Sequence, residues 1–363
     1  MRTKEELLQV LAQFSLEEKV GSVEPFGNGH INDTYIVVTT GGEKKYILQK
    51  INHAIFTDVE LLQNNILNAT NHIRAKLVAA GENDIDRKVL TFLPAKDGKY
   101  FFFDGEFYWR VCLFIADSVT YEAITPDLAF ETGKAFGNFH KMLADIPKGQ
   151  IGESIPNFHN IDLRQRQLAD AVNADPVGRK AEVADLLNEL AVRKDAMRIQ
   201  EVLLEEGKLS KRITHCDTKV NNILFDKEGN VLCVIDLDTV MPGFVLSDIG
   251  DFIRTAVNMG LEDDENLDNI QVNMPIFEAF IKGYMEEAKN FLTPLEIKML
   301  PYGGRMLTYM QTVRFLTDYI AGDTYYKIHS PLHNLQRTKA QFKFLQELEK
   351  NAEKMDGFME QFL

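Results

Sequence analysis

The sequence contains little cysteine, only Cys112, Cys216 and Cys233 in 363 residues. No two of them form a CxxC pair and no histidine stands beside them at zinc-ligand spacing, which argues against a disulfide framework or a zinc site. Long apolar runs are also missing, since no stretch approaches the ~20 residues of a membrane-spanning helix. Residues 1–20 lack the apolar region of a signal peptide and are typical of an amphipathic helix. These absences predict a cytoplasmic protein with reduced thiols and no membrane partner.

Positive charge is in short supply as well. Forty basic residues stand against fifty-four acidic ones, which gives a formal net charge of -14 at pH 7. Most of the surface would therefore repel a nucleic-acid backbone or an anionic membrane, and nucleic acid is not an expected partner. Any phosphate group that the protein binds needs a local positive site.

A small N-lobe rich in strands is predicted for residues 1–115. The segments GSVEPF, TYIVVTT and YILQK have strand-like patterns, and Gly41 and Gly42 predict a hairpin between the last two. Apolar residues at three- and four-residue spacing predict a helix over 58–77. Two more β-rich segments follow, with a turn at Asp104 and Gly105. This pattern favours an antiparallel sheet with one long helix.

Residues 116–363 are predicted to form a larger, mainly helical C-lobe. Helical periodicity covers roughly 125–145, 160–206, 272–290, 295–321 and 333–362. A β-rich stretch interrupts the helices at 211–240. The predicted fold class is therefore α+β. The boundary between the lobes is placed near 115, where the last predicted strand of the N-lobe gives way to helices.

The strongest chemical motif lies in the β-rich interruption. His215-Cys216-Asp217-Thr218-Lys219-Val220-Asn221-Asn222 matches H-x-D-x-x-x-x-N, and Asp236 follows fourteen residues after Asn222 at the end of the strand VLCVI. Phosphoryl transfer to a hydroxyl needs a carboxylate that accepts the proton, and oxygen ligands for a magnesium ion. Asp217 suits the first role, and Asn222 and Asp236 suit the second. Each feature alone is also compatible with a polar turn or a surface acid.

In this order and spacing, the H-x-D-x-x-x-x-N and I-D-x-D motifs resemble the aminoglycoside phosphotransferase and choline kinase superfamily. The resemblance implies a bilobal fold like that of protein kinases, ATP as co-substrate and Mg²⁺ as cofactor. Other stretches are similar to the sugar kinases of this superfamily, which phosphorylate the anomeric C1 hydroxyl of N-acetylglucosamine or N-acetylgalactosamine. They are EPFGNGHINDTY, YILQKIN, WRVCLFI, THCDTKVNNIL, IDLDTVMPG, RFLTDYIAGDTYY and HNLQRTKAQ. The implied partners are therefore ATP and an N-acetylhexosamine.

Two segments of the N-lobe are expected to bind the nucleotide. Gly27 and Gly29 lie in a turn between predicted strands, where backbone N–H groups can close over phosphates. An ordinary hairpin turn would have the same local sequence. The strand end at Phe114, Ile115 and Ala116 is expected to contact the purine through its backbone.

The sequence departs from the general kinase pattern at YILQKIN. Most relatives have a lysine or arginine directly after the apolar pair, whereas this chain has Gln49 there and Lys50 next. Lys50 is assigned to the nucleotide, although strand neighbours point to opposite faces and a solvated Lys50 is an equal alternative. Glu60 is the only carboxylate on the early turns of the following helix that could pair with such a cation.

By resemblance, His30, Arg314 and Tyr325 contact the sugar together with Asp217. Arg314 suits hydrogen bonding to the N-acetyl oxygen or to hydroxyls, and Tyr325 offers a ring face. The alternatives are a structural histidine, and an arginine paired with Asp318 one helical turn away.

Three further acids follow the metal motif. Asp238 would support the metal site or belong to it, while Asp248 and Asp251 open a helix with good capping chemistry. In the superfamily an aspartate at this place ties the helix to the catalytic loop, so Asp248 and Asp251 are expected to be structural.

Two other functions stay open. One keeps the reaction and changes the acceptor to choline, homoserine, another sugar or an aminoglycoside. The other is a nucleotide-binding regulator without catalysis, suggested by the missing lysine.

Overall fold

The computed structural model of the chain describes residues 2–27, 31–42 and 44–363. Its strands, in chain order, are β1 (Val20–Pro25), β2 (Asp33–Thr39), β3 (Lys45–Ile51), β4 (Phe92–Leu93), β5 (Phe102–Phe103), β6 (Tyr108–Leu113), β7 (Arg212–Thr214), β8 (Ile223–Phe225), β9 (Val231–Val234) and β10 (Met241–Gly243). Its helices are α1 (Lys4–Leu11), α2 (Val59–Ala79), α3 (Ile85–Lys88), α4 (Pro126–Leu143), α5 (Ile161–Ala174), α6 (Ala184–Arg193), α7 (Ile199–Glu205), α8 (Val245–Ala256), α9 (Met274–Ala288), α10 (Pro294–Ala321), α11 (His333–Lys350) and α12 (Ala352–Met359). The mixed composition confirms the predicted α+β class.

The chain divides into two compact units whose segments alternate along the sequence. Unit 1 comprises Met1–Thr120, Met142–Pro156 and Asn222–Met241, and unit 2 comprises Tyr121–Lys141, Asn157–Asn221 and Pro242–Leu363. The sequence predicts a single boundary near residue 115. The units interleave because later segments bond back to the N-terminal part, as when Phe225 and Val119 exchange two backbone hydrogen bonds of 2.9 Å. The β8–β9 hairpin thus belongs to the same unit as the N-terminal sheet.

An antiparallel sheet forms the centre of unit 1. Its strand order is β1-β2-β3-β6-β4, with β5 paired to β6. Alternate residues of β3, such as Tyr46 and Leu48, are buried in a core that also contains Trp109 and apolar residues of α1. The predicted hairpin at Gly41 and Gly42 is confirmed, because β2 and β3 pair in register around this turn.

Helix α2 of unit 1 matches the helix predicted over 58–77. Asp58 begins it as N-cap, since its carboxylate accepts a hydrogen bond of 2.8 Å from the N–H of Leu61. Its buried face includes Asn65, whose side chain donates to the backbone oxygens of Gly152 and Val240. Helix α2 therefore fixes the segment that follows the metal motif.

The helices of unit 2 follow the predicted spans, with two differences. The predicted span 160–206 is divided into α5, α6 and α7. The first break follows Asp175, which adopts a left-handed backbone and is followed by Pro176 and Gly178. The span 333–362 is broken at Asn351. The spans 272–290 and 295–321 are confirmed by α9 and α10.

Helices α8 and α10 cross at glycines. A Cβ atom on Gly303 would lie 2.0 Å from the backbone oxygen of Leu246, and one on Gly250 would lie 2.3 Å from the oxygen of Gly303. These distances are far below van der Waals contact, so only glycine permits this approach. The crossing fixes α8, which carries Asp248.

Among the helices of the described chain, none is long and apolar enough to cross a membrane.

Candidate active site

The Asp217 loop follows β7 in unit 2. The side chain of Asp217 is 23% exposed, and its Oδ1 lies 2.7 Å from Nζ of Lys219. Cys216, directly before it, has a φ of 63°, a left-handed backbone that a residue with a side chain adopts at some cost. The loop thus presents an accessible carboxylate beside a cation.

Asp248 of α8 holds this loop in place. Its side chain is fully buried and accepts hydrogen bonds from the backbone N–H groups of His215 (2.7 Å) and Cys216 (2.8 Å). The hydroxyl of Thr218 donates to the backbone oxygen of Asp248. The expectation that an aspartate ties this helix to the loop is confirmed. The capping role is different from the prediction, since α8 begins at Val245 and Asp248 binds the loop instead of the helix's own first turn.

Buried rings complete the support of the loop. The ring of His215 packs edge-on against Phe136 and Phe139, with centroids 5.5 and 5.7 Å away. His140 lies with Nε2 2.8 Å from Asp248 and Nδ1 2.9 Å from the hydroxyl of Tyr284. Burial, and then the charge of Asp248, raise the pKa of Tyr284 well above its usual value. Its hydroxyl therefore stays protonated and forms a hydrogen bond with Nδ1, while Nε2 on the other side of the ring is bonded to Asp248.

A second acid, Asp251, lies one helical turn after Asp248. Arg254 Nη2 is 2.9 Å from its Oδ1. Burial raises the pKa of Asp251 and the nearby charge of Asp217 adds to this rise, while Arg254 and Lys219 oppose it. Burial alone would lower the pKa of Lys219, but Asp217 and Asp251 raise it above its ordinary value. Lys219 therefore remains a cation beside the two acids.

In unit 1, the β8–β9 hairpin brings the two predicted metal ligands to one end. Ile223 pairs with Val234, and the N–H of Ile235 donates to the backbone oxygen of Asn222 at 2.9 Å. Asp236 is the next residue, is exposed, and has a left-handed φ of 58°. The structure therefore places Asn222 and Asp236 at the same hairpin end, although fourteen residues separate them in sequence.

These two residues fit a magnesium ion chemically. An amide oxygen and a carboxylate are the hard ligands that Mg²⁺ prefers, and the ion normally completes its shell with water and substrate phosphates instead of an all-protein cage. Within residues 2–27, 31–42 and 44–363, His, Cys, Asp and Glu side chains form no cluster of three that could hold a metal ion. Asn222 and Asp236 could therefore form a Mg²⁺ site in which nucleotide phosphates and water supply the remaining ligands.

Asp238 joins a buried polar network in unit 1. Arg110 Nη1 lies 2.6 Å from Asp238 Oδ1, and the two side chains are 3% and 4% exposed. Asn32 Nδ2 donates to Asp238 Oδ2 at 2.6 Å, and Arg110 Nε donates to Gln49 Oε1 at 2.9 Å. Both carboxylate oxygens of Asp238 therefore have protein partners. This arrangement favours a supporting role for Asp238 over direct metal binding.

Lys50 lies on the other face of β3 from Gln49. Gln49 pairs in register with Arg110, whereas Lys50 pairs with Trp109. The ammonium of Lys50 forms an ion pair with Asp33 and lies 4.6 Å from the centroid of Phe107. Its assignment to the nucleotide stays a prediction.

The candidate partner of such a cation, Glu60, is also exposed. Its side chain is mostly solvated, and Lys99 Nζ lies 3.9 Å from its carboxylate.

The predicted nucleotide segments of unit 1 are connected through two rings. Gly27 has a left-handed φ of 71°, and its neighbour Phe26 packs edge-on against Phe114 at 5.8 Å. The N–H of Phe114 donates to Lys45, and the carbonyl of Ile115 accepts from Ser118. The carbonyl of Ala116 accepts from Arg87 at 3.2 Å. Gly29 and His30 lie outside the described residues.

In unit 2, Arg314 packs between aromatic rings. Its Cζ lies 5.6 Å from the centroid of Tyr326 and 6.0 Å from that of Phe158, and its Nη1 donates to Gln311 at 3.2 Å. The alternative partner Asp318 is engaged elsewhere, because its carboxylate accepts from the N–H groups of residues 324–326 and from Asn334. Arg314 is thus half-buried among rings, and Tyr325 follows on an ordered turn with 70% of its surface exposed.

More positive charge lies close to Arg314. Arg164 Nη2 donates to the backbone oxygen of Phe158 at 3.0 Å, so both arginines contact this residue. Burial, and then the charge of Arg314, lower the pKa of Arg164. Burial lowers the pKa of His159 to about 4, and the charges of Arg314 and Arg164 add to the effect while Asp248 opposes it.

Three residues that the structure brings into these arrangements have no such role in the sequence prediction: Lys219, Arg110 and Asp318. Lys219 was visible as the second residue after Asp217, where its distance along the loop allows an ion pair. Arg110 could be found only by knowing that β3 pairs with β6. Asp318 was considered only as a partner of Arg314, whereas it orders the turn that carries Tyr325.

Comparison with known families gives one match, to the family model described as "Phosphotransferase enzyme family", over residues 22–274. The matched region contains every described candidate residue except Arg314 and Tyr325.

Several solved structures share the fold. An aminoglycoside phosphotransferase from Alicyclobacillus acidocaldarius is 14% identical, with 96% of each chain covered and a TM-score of 0.62. Spectinomycin phosphotransferase in complex with ADP and spectinomycin is 13% identical, with 97% and 99% covered and a TM-score of 0.62. Choline kinase from Cryptosporidium parvum is 14% identical, with 98% of each chain covered and a TM-score of 0.62. The antiparallel N-lobe and helical C-lobe therefore match the protein-kinase-like fold of these enzymes, as predicted.

Proposed function

Because this chain belongs to the phosphotransferase enzyme family, we propose that it is an N-acetylhexosamine 1-kinase that works in the cytoplasm. It is a small-molecule kinase of the aminoglycoside phosphotransferase and choline kinase superfamily. In the proposed reaction the γ-phosphoryl group of ATP is transferred to the C1 hydroxyl of N-acetylglucosamine or N-acetylgalactosamine. The products are ADP and the sugar 1-phosphate.

The observation that supports catalysis is the accessible carboxylate of Asp217 on a loop held by Asp248. In the proposal, Asp217 accepts a hydrogen bond from the C1 hydroxyl, orients its oxygen toward the phosphorus and takes the proton as the new O–P bond forms. The fixed backbone of His215 and Cys216 limits the positions that the carboxylate samples, which serves an in-line reaction. Lys219 Nζ, 2.7 Å from Asp217 Oδ1, adds positive charge near the reacting groups.

Asn222 and Asp236 are proposed to hold Mg²⁺. The ion would neutralise charge on the nucleotide phosphates. The β8–β9 hairpin would support this site, because the backbone hydrogen bond between Ile235 and Asn222 keeps the amide of Asn222 and the carboxylate of Asp236 at the same end of the hairpin. Gly27, Gly29 and the backbone of Phe114, Ile115 and Ala116 are proposed to bind the remainder of ATP.

For the acceptor, Arg314 and Tyr325 are proposed to bind the sugar, together with His30. Arg314 is suited to the N-acetyl oxygen because its guanidinium is half-buried and has no carboxylate partner among the contacts of the described chain. The surrounding charge supports a neutral acceptor, since Arg164 and Arg314 together would repel a cation. This argues against choline and aminoglycosides, which are positively charged.

The main alternative is a kinase of the same superfamily with another acceptor. The structural relatives named for spectinomycin and choline keep this open, because they share the fold at low identity. The regulator without catalysis is the other alternative.

The test is turnover with a panel of acceptors. Purified protein, MgATP and one acceptor from free sugars, choline, homoserine and aminoglycosides would be incubated, with ADP release and the phosphorylated product both measured. We expect product with N-acetylhexosamines, and loss of that product in Asp217→Asn. Turnover of choline alone would overturn the sugar assignment, and silence with every acceptor would favour the regulator.

A further inference from the structure

The charge that most relatives carry on β3 is moved to the neighbouring strand in this chain. Kinases of this type place a lysine at the position of Gln49, facing the nucleotide phosphates. Here Gln49 is neutral, and Lys50 lies on the opposite face of β3 with Asp33. Arg110 of β6 is the register partner of Gln49, so it lies on the same face of the sheet as the missing lysine would.

Gln49 and Arg110 are chemically matched to each other. The amide oxygen of Gln49 accepts from Arg110 Nε at 2.9 Å, and its Nε2 donates to Thr34 Oγ1 at 3.3 Å. A lysine at 49 has donors only and would place a second cation against a buried guanidinium. The glutamine therefore supplies the acceptor for Arg110 Nε that a lysine would lack.

The opposite end of the Arg110 side chain holds the segment after Asp236. Arg110 Nη1 binds Asp238, which lies on the short turn Leu237–Thr239. Asp238 also accepts from Asn32, whose Oδ1 in turn accepts from the N–H of Asn52. The turn that begins directly after Asp236 is thereby tied to β6 and to both ends of the β2–β3 hairpin.

This geometry points to a function for the pair. We propose that Arg110, through Asp238, is the positioning residue that takes over the role of the β3 lysine and fixes Asp236 for the Mg–nucleotide complex. Without its cation, the Asp238 carboxylate would be buried and uncompensated, and the segment would move toward solvent. Burial alone would lower the pKa of Arg110, but Asp238 and, to a smaller extent, Asp236 raise it. The charge of Asp236 therefore also acts on Arg110. The inference rests on the proposed use of Mg–nucleotide.

The experiment is a charge exchange between the two strands. Gln49→Lys, Arg110→Gln, the double variant and wild type would be titrated calorimetrically with ADP, once with Mg²⁺ and once with a chelator. Thermal unfolding would be recorded for each protein. Arg193→Gln is the matched control, because it breaks a part-buried ion pair with Glu349 (2.8 Å) in unit 2.

We expect each single variant to weaken MgADP binding about tenfold, as is typical when a group behind a metal ligand is changed. ADP binding without Mg²⁺ should change by less than about threefold. The double variant, which returns the charge to β3, should recover MgADP affinity to within about threefold of wild type. Arg193→Gln should lower only the unfolding temperature. A merely structural role would produce no rescue by the exchange.

Three results would overturn the inference. They are wild-type MgADP affinity in Arg110→Gln, losses in the double variant that equal the sum of the single losses, and equal losses with and without Mg²⁺. Gln49→Lys keeps Arg110 in the chain but removes its acceptor at position 49 and sets a second cation beside it, which disturbs the Arg110–Asp238 pair. It therefore supplies the decisive single variant if Arg110→Gln does not fold. If wild type binds MgADP but phosphorylates no N-acetylhexosamine, the acceptor assignment fails and this inference stands. If wild type does not bind MgADP, both fail.

Discussion

In each unit of this protein, an accessible acid of the candidate site is matched by a buried acid that supports it. In unit 2 these are Asp217, 23% exposed, and the fully buried Asp248. In unit 1 they are the exposed Asp236 and the buried Asp238. In both units the accessible acid belongs to a segment with a left-handed residue, and the buried acid fixes that segment. The comparison teaches that burial separates the carboxylates suited to bind substrate or metal from those that hold the backbone.

The two buried acids differ in their partners. Asp248 is bonded to two backbone N–H groups and a histidine ring, whereas Asp238 is paired with the guanidinium of Arg110. The main-chain donors to Asp248 cannot be changed by mutation, so no second substitution can compensate for the loss of this acid. The partner of Asp238 is a side chain, which a second substitution can change. We therefore expect the Asp248 anchor to tolerate substitution less well.

The largest expected effect is on catalysis at the accessible acid of unit 2. Asp217→Asn should lower kcat by about 1000-fold, because the amide cannot accept the proton of the acceptor hydroxyl. The free energy of unfolding should stay within about 1 kcal/mol of wild type, since the side chain is partly exposed. ADP release and urea unfolding measure the two quantities. Retained velocity would refute the role of Asp217.

Asp248, the buried acid of the same unit, should affect stability more than Asp217 does. Asp248→Ala should lower the free energy of unfolding by about 3 kcal/mol, because the N–H groups of His215 and Cys216 and the His140 ring lose their acceptor. Asp170→Ala, an exposed acid of α5, is the control and should change it by less than about 0.5 kcal/mol. Equal urea midpoints for the two variants would contradict the distinction between accessible and buried acids.

Lys219 tests whether the accessible acid depends on its neighbour. Lys219→Met should lower kcat about tenfold, because Asp217 loses a cation at 2.7 Å. Lys134→Met removes a comparably exposed lysine, 3.5 Å from Glu286 in unit 2, and should leave kcat unchanged. Initial rates at saturating MgATP and acceptor distinguish them. A similar fall of kcat in both variants would show that the loss of any lysine slows the reaction, and would contradict a specific role for Lys219.

The smallest effect concerns pH. The pKa of His159 is lowered to about 4 from 6.5, mainly by burial. Between these values the unfolded chain takes up a proton that the folded chain refuses, so stability is lost as pH falls from about 6.5 towards 4. His159→Gln should reduce the loss of unfolding free energy between pH 7 and pH 5.5 by about 1 kcal/mol. Urea titrations at both pH values measure it, and identical losses would exclude the histidine as the cause.

Local sequence predicted the elements whose signals lie within a few residues. The β2–β3 hairpin at Gly41 and Gly42 and the long helix α10 are examples. The H-x-D-x-x-x-x-N motif is equally local, and the catalytic role of Asp217 that it predicts stays a prediction. The divided span 160–206 was predicted as continuous because helical periodicity resumes after the turn at residues 175–178. There the left-handed Asp175 ends α5 while the apolar pattern continues.

The role of Arg110 could not be predicted from the sequence, for a different reason. It depends on the pairing of β3 with β6 and on the approach of Asp238, which lies 128 residues later in the chain. Nothing local distinguishes this arginine from the other basic residues. The absence of the lysine at Gln49 was visible, but its compensation required the sheet register.

The glycine crossing of α8 and α10 also bears on how this enzyme could be engineered. Gly303 lies in the first half of α10 and Arg314 in the second. Mutagenesis libraries aimed at the proposed acceptor contact can vary Arg314 in the second half. The first half must be left as it is, because even an alanine at Gly303 would push away the helix that carries Asp248.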